Sequence, residues 1–122
     1  MMNDGGNAAV YQDSHCAVDF GLQKFWLDRR DVTLTRKEYE LLSTLAANAG
    51  EIVPRDRLLK FVWGYGPEIR TRTLDVHIRR LRRKLMPYGD QYIETIFGVG
   101  YRFQPWRDTP MFAAPQVLRA TA

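Results

Sequence analysis

The sequence predicts an α+β fold in which short strands precede three helices and a C-terminal β-hairpin. Three observations predict it. Strand-like runs separated by turn signals fill the region up to Leu34, helical spacing begins at Thr35, and two further strand-like runs flank Gly98-Val-Gly100. The 122 residues fit one domain. A chain of this size buries about two thirds of the surface its unfolded form exposes, enough for one core without staples. The domain is expected over residues 13–104, with a flexible segment at 1–12 and a disordered, Pro-punctuated tail at 105–122.

Each element has a local reason. His15–Phe20, Lys24–Leu27 and Asp31–Leu34 are strand-like and are divided by Gly21 and by Asp28–Arg30, with a weaker strand around Ala9–Gln12. Thr35-Arg-Lys-Glu38 is a capping box, in which the Thr hydroxyl and the Glu carboxylate each satisfy an amide left free at a helix start. Leu42, Leu45, Ala46 and Ala49 follow at helical spacing, so helix 1 is expected over Arg36–Asn48, with Gly50 as its left-handed cap. An extended link over Glu51–Val53 ends at Pro54. Helix 2 is expected over Asp56–Trp63, with Leu58, Leu59, Val62 and Trp63 inward and Gly64 ending it. Gly66 and Pro67 make Tyr65–Arg70 a loop. Helix 3 is expected over Thr71–Leu85, stopped by Pro87. Tyr92–Phe97 and Tyr101–Gln104 form the closing hairpin.

Composition removes several function classes. One cysteine, Cys16, excludes an internal disulfide, and with only two histidines a structural zinc site lacks ligands. No apolar run approaches the roughly 18 residues of a membrane span, and Met1–Tyr11 lacks the pattern of a signal peptide. A cytoplasmic protein without cofactor or metal is expected. His15 and Cys16 are adjacent on a strand and point to opposite faces, so they form no dyad. No paired carboxylates or base–nucleophile arrangement is legible, and an enzyme is not expected. Gly98-x-Gly100 lacks the Lys-Ser/Thr of a phosphate-binding loop and no helix follows it.

The charge is directional. The net charge is +4, yet Arg70–Lys84 holds seven cations and one anion, Asp75, so the rest of the chain sums to −2. On a helical wheel Leu74, Ile78, Leu81 and Leu85 form one apolar stripe, while Arg72, Val76, Arg79, Arg80 and Arg83 occupy the opposite face with Asp75 and Arg82 at its edges. A basic helix face is usually only solvated surface. Here six arginines accompany one lysine, and a two-helix unit stands just before them. Arginine forks match guanine O6 and N7, Val76 suits a thymine methyl, and Asp75 suits a cytosine amino group. A glycine-bounded hairpin beside such a helix forms a wing able to reach the adjacent minor groove. Double-stranded DNA is the partner these features suit.

With these residues assembled, the chain resembles the winged helix-turn-helix effector domain of OmpR/PhoB-type response regulators. The resemblance rests on Leu34-Thr-Arg-Lys-Glu-Tyr-Glu-Leu-Leu42, Leu58-Leu-Lys-Phe-Val-Trp-Gly64, Arg72-Thr-Leu-Asp-Val-His-Ile-Arg-Arg-Leu-Arg-Arg-Lys-Leu85 and Ile93-Glu-Thr-Ile-Phe-Gly-Val-Gly-Tyr-Arg-Phe103. It covers His15 to Phe103 in order. It implies an N-terminal antiparallel sheet, three helices and a C-terminal β-hairpin wing, and with them sequence-specific DNA binding and transcription regulation in a two-component system, with a second copy on tandem half-sites and RNA polymerase as a further partner. Carried over residue by residue, Asp75, Val76, Arg79 and Arg80 match base-reading positions. Arg72, Thr73, His77, Arg82, Thr95 and Tyr101 match positions used on the DNA backbone, together with Trp63 and Arg83. Tyr65, Gly66, Pro67, Glu68, Ile69, Arg70 and Thr71 occupy the polymerase-facing loop.

Two departures stand out. The family's phosphorylatable receiver domain has no room in these 122 residues, so either an excised effector domain or a receiver-less regulator is expected. The wing tip carries Phe97 where the family often has Arg, and packing under the hairpin or contact with a sugar is expected of it. Two other readings remain open: a winged-helix module that binds protein or RNA without specific DNA binding, and the DNA-binding end of a larger sensor.

Overall fold

The computed structural model describes residues 10–107. Four short strands open the chain: β1 (Val10–Gln12), β2 (Cys16–Asp19), β3 (Lys24–Leu27) and β4 (Arg30–Asp31), paired antiparallel in that order. Val18 lies opposite Phe25 and Cys16 opposite Leu27, and these four side chains are the buried face of the sheet. The expected strand over Asp31–Leu34 contracts to Arg30–Asp31. The reason lies in the turn before it. Asp28 and Arg29 both take positive φ, +49° and +70°, so a two-residue hairpin brings Arg30 directly opposite Leu27.

Helix α1 (Arg36–Ala47) begins as the capping box predicts. The Glu38 amide donates to Thr35 Oγ1 at 3.2 Å and the Thr35 amide to Glu38 Oε1 at 2.9 Å. Its buried face is Leu41, Leu42, Leu45 and Ala46. The expected extended link becomes a third strand of the closing hairpin: β5 (Ile52–Pro54) pairs with β7 (Gly100–Phe103), which pairs with β6 (Ile93–Ile96). Gly100 permits this approach, because a Cβ there would run into the Val53 carbonyl oxygen.

Helix α2 (Arg55–Leu58) continues through a π-helical turn, Leu59–Trp63. Gly64 closes it with φ +74°. The Gly64 amide donates to the Lys60 carbonyl at 2.9 Å and the Tyr65 amide to the Leu59 carbonyl at 3.2 Å, which occupies the last carbonyls of the π-helical turn. Helix α3 (Thr73–Lys84) starts two residues later than predicted. The Thr73 amide donates to Thr71 Oγ1 at 3.1 Å, so Thr71 caps the helix from outside it. A one-turn helix absent from the sequence reading, α4 (Gly89–Tyr92), leads into β6.

The core lies between α1, α3 and the two sheets. The predicted stripe holds: Leu74, Ile78, Leu81 and Leu85 are all buried, as are Tyr92, Ile93 and Phe103. Each such side chain contributes about 1.5–3 kcal/mol relative to exposure, so the stripe fixes which face of α3 turns outward.

Both ends of the described residues are tied to the domain, and the weaker strand expected around Ala9–Gln12 is present as β1. Val10–Gln12 pairs with Ala17–Asp19 although it falls in the segment expected to be flexible, and the Tyr11 ring meets Phe103 edge-on at 5.1 Å. At the other end Trp106 sits 4.7 Å from the His15 ring and 5.1 Å from Tyr88, and its amide donates to Asp13 Oδ2 at 3.1 Å. Apolar rings and a shared carboxylate hold these segments where composition alone suggests loose chain. Residues 1–9 and 108–122 of the expected termini lie outside the described residues.

Candidate nucleic-acid interface

The outward face of α3 is a row of cations. Arg72, Arg79, Arg80 and Arg83 are exposed, with Val76 half-buried among them. Arg79, Arg80 and Arg83 make no ion pair or side-chain hydrogen bond among the described residues. Unpaired guanidinium groups on a helix anchored by its opposite stripe are a preorganised polyanion surface.

The edges of that face behave differently. The Asp75 carboxylate accepts from Arg55 Nη1 at 2.6 Å and Nη2 at 3.2 Å, and from the Tyr101 hydroxyl at 2.6 Å. Hydrogen bonding from the Arg55 guanidinium holds Asp75 below the usual carboxylate range against the opposing effect of partial burial. Burial and the adjoining Asp75 push the Tyr101 phenol up to about 12. Asp75, which the resemblance matches to a base-reading position, is therefore an anion already bound to two donor residues. Tyr101, expected on the DNA backbone, is 6% exposed. Its hydroxyl instead joins β7 to the first turn of α3 through Asp75.

Arg82 and Thr95, also expected on the DNA backbone, are joined to each other. Arg82 Nη2 donates to the Ile93 carbonyl at 2.6 Å and to Thr95 Oγ1 at 2.7 Å, while its Cζ lies 5.9 Å from the centre of the Tyr101 ring. Asp90 adds an ion-pair contact at 3.7 Å. Arg82 thus clamps the wing strand β6 to α3, and its half-buried position explains why it turns inward.

His77 Nδ1 donates to the Thr73 carbonyl at 2.8 Å, and its ring meets Trp63 edge-on at 4.9 Å. The end of α2 and the middle of α3 touch there, which places Trp63, Thr73 and His77 together on one flank. Between the helices, Tyr65 packs toward the core, the Ile69 amide donates to the Gly66 carbonyl at 3.1 Å, and Pro67, Glu68, Ile69 and Arg70 are exposed. At the wing tip Phe97 is 90% exposed, which corrects the expectation that it packs under the hairpin. The three-residue turn 97–99 projects it beyond both strands.

The sequence reading missed Arg55. It follows Pro54 at the start of α2, and only the fold brings it to Asp75. Among the described residues no cluster of His, Cys, Asp and Glu suits a metal ion, and no helix is long and apolar enough to cross a membrane.

The family described as "Transcriptional regulatory protein, C terminal" matches residues 29–103. The response regulator ArlR of Staphylococcus aureus is 44% identical over 85 residues, which cover 69% of this chain and 39% of ArlR. The chain therefore spans well under half the length of that curated relative. The RstA DNA-binding domain of Klebsiella pneumoniae, solved in complex with the RstA box, superimposes with a TM-score of 0.71 at 32% identity, covering 80% of this chain and 98% of that one. The DNA-binding domain of CpxR from E. coli gives a TM-score of 0.71 at 30% identity over 79% of this chain and 96% of that one.

Proposed function

This chain belongs to the family of C-terminal domains of transcriptional regulatory proteins, and we propose on that premise that it binds double-stranded DNA sequence-specifically and regulates transcription. The observation that carries the reading is the set of unpaired arginines on the exposed face of α3. In this reading α3 enters the major groove, where Arg79 and Arg80 meet guanine edges and Val76 meets a thymine methyl. Arg72, Arg83 and the Trp63–His77 flank lie along phosphates, and the wing reaches the next minor groove.

The partners follow from the same arrangement. Two copies occupy tandem half-sites about one helical turn apart, and the exposed part of the loop 65–71 faces RNA polymerase. The reading places the protein in the cytoplasm, where DNA and polymerase are.

Selection from a random duplex pool, followed by fluorescence anisotropy across a salt series, tests it. Each neutralised phosphate contributes about −0.9 to the slope of log affinity against log salt, so four to six contacts give about −4 to −5. A slope near zero would overturn the reading and leave a protein- or RNA-binding module in its place.

A further inference from the structure

We propose that Arg55 is a DNA-phosphate contact aimed by Asp75, and that Asp75 is a positioning residue that does not read a base. The inference deepens the DNA-binding reading and rests on it. Its starting point is location. A helix in the major groove and a wing in the adjacent minor groove have one phosphate strand between them, since that strand is the ridge dividing the grooves. Whatever lies between α3 and the wing tip faces that ridge.

Arg55 lies there. Its guanidinium grips Asp75 in the first turn of α3, at 2.6 and 3.2 Å. Its amide donates to the carbonyl of Val99 in the wing turn at 2.9 Å. Arg55 is thus tied to both elements at once, and its side chain is still 38% exposed. The pairing with Asp75 uses two of the guanidinium's five N–H donors. Held flat by two bonds on one side, the planar fork presents the rest of its edge in a fixed direction, the geometry that suits a phosphate oxygen.

The same pair solves an electrostatic problem. Asp75 places a carboxylate, 44% exposed, at the rim of a surface meant for a polyanion. Unpaired, it would repel the phosphates. With Arg55 and the Tyr101 hydroxyl bound to it, its charge is offset by the guanidinium, both sites of Oδ1 are taken and one of Oδ2 is. A cytosine amino group would compete with these donors for a carboxylate whose charge Arg55 already offsets, with a single Oδ2 site left to it.

Fluorescence anisotropy on the selected duplex and on a scrambled duplex tests this. Arg55→Ala is expected to make the salt slope shallower by about one unit and to cost on the order of tenfold in affinity. Asp75→Asn is expected to keep the slope and weaken both duplexes by a similar several-fold factor. Arg55→Ala combined with Asp75→Asn is expected to bind more tightly than Arg55→Ala alone, because the bared anion is gone. An unchanged slope in Arg55→Ala, or a base preference altered at a single position in Asp75→Asn, would overturn the proposal while leaving DNA binding intact. A wild-type protein with no salt slope would instead overturn the DNA-binding reading itself. Should circular dichroism show Arg55→Ala unfolded, Arg55→Lys decides: weaker binding with the wild-type slope supports an aimed fork, and wild-type affinity overturns it.

Discussion

Lys84 Nζ lies 2.6 Å from Glu38 Oε1, and this contact closes the last turn of α3 onto the first turn of α1. Glu38 is only 2% exposed. It serves the capping box through the Thr35 amide while Lys84 also reaches the Thr33 carbonyl at 3.2 Å. The helix that carries the arginines is thereby fixed to the core by a charge pair as well as by its apolar stripe.

Acid stability should follow from that pair. Burial pushes Glu38 up, but the Lys84 ammonium and the Thr35 amide outweigh it and hold the carboxyl below its ordinary value of 4.5. A depressed folded-state value means stability that is present in full above the ordinary one and lost as pH falls below it through the folded value. The thermal midpoint should therefore drop as pH falls below about 4.5, and Glu38→Gln should flatten part of that drop. Lys84→Met leaves the carboxylate buried without its partner and should cost about 3 kcal/mol at neutral pH. Equal acid profiles for wild type and Glu38→Gln would count against the assignment.

Arg80 and Arg82 are two residues apart and should fail in different ways. Arg80 is exposed and unpaired among the described residues, so Arg80→Ala should relax preference at one base position and cost about 1–3 kcal/mol on the selected site. Arg82 holds the Ile93 carbonyl and Thr95, so Arg82→Ala should lower the thermal midpoint and weaken selected and scrambled duplexes alike. Measuring melting and binding on both duplexes separates the two, and a position-specific loss for Arg82→Ala would contradict its role as a clamp.

Phe97 offers the wing's groove contact no charge. Phe97→Ala should weaken binding modestly without changing the salt slope. Phe97→Arg should raise affinity and steepen the slope by about one unit, because a narrow minor groove attracts arginine. If anisotropy finds affinity and slope both unchanged in Phe97→Arg, the wing tip does not approach DNA.

What was legible in the sequence was what is local. The capping box needs residues three apart, and the α3 stripe needs spacings of four, three and four, so both appear in the chain as written. Helix α4 was not legible, because four residues show no period. Gly89 opens it, where a side chain would strike the Arg82 carbonyl. The pairing of β5 with β7 joins residues some fifty positions apart, and nothing in Ile52–Pro54 announces it. The candidate site divides in the same way. The wheel placed Arg79, Arg80 and Arg83 outward correctly, since that depends on one helix alone. It could not show that Asp75 would meet Arg55 and Tyr101, or that Arg82 would turn to Thr95, because those partners are brought in by other elements.

The fastening of α3 at both ends has a thermodynamic consequence. Asp75 secures its first turn to α2 and β7, while Arg82 and Lys84 secure its last turns to β6 and α1. The ordering cost of this helix is therefore met on folding rather than on meeting a ligand. Association with a stiff partner should then show little of the large negative heat-capacity change that marks coupled folding, and the remaining opposition to binding should come from the partner's own deformation and from displaced solvent and ions. A surface built this way discriminates by refusing to adapt: a partner of the wrong shape must bend to it or leave.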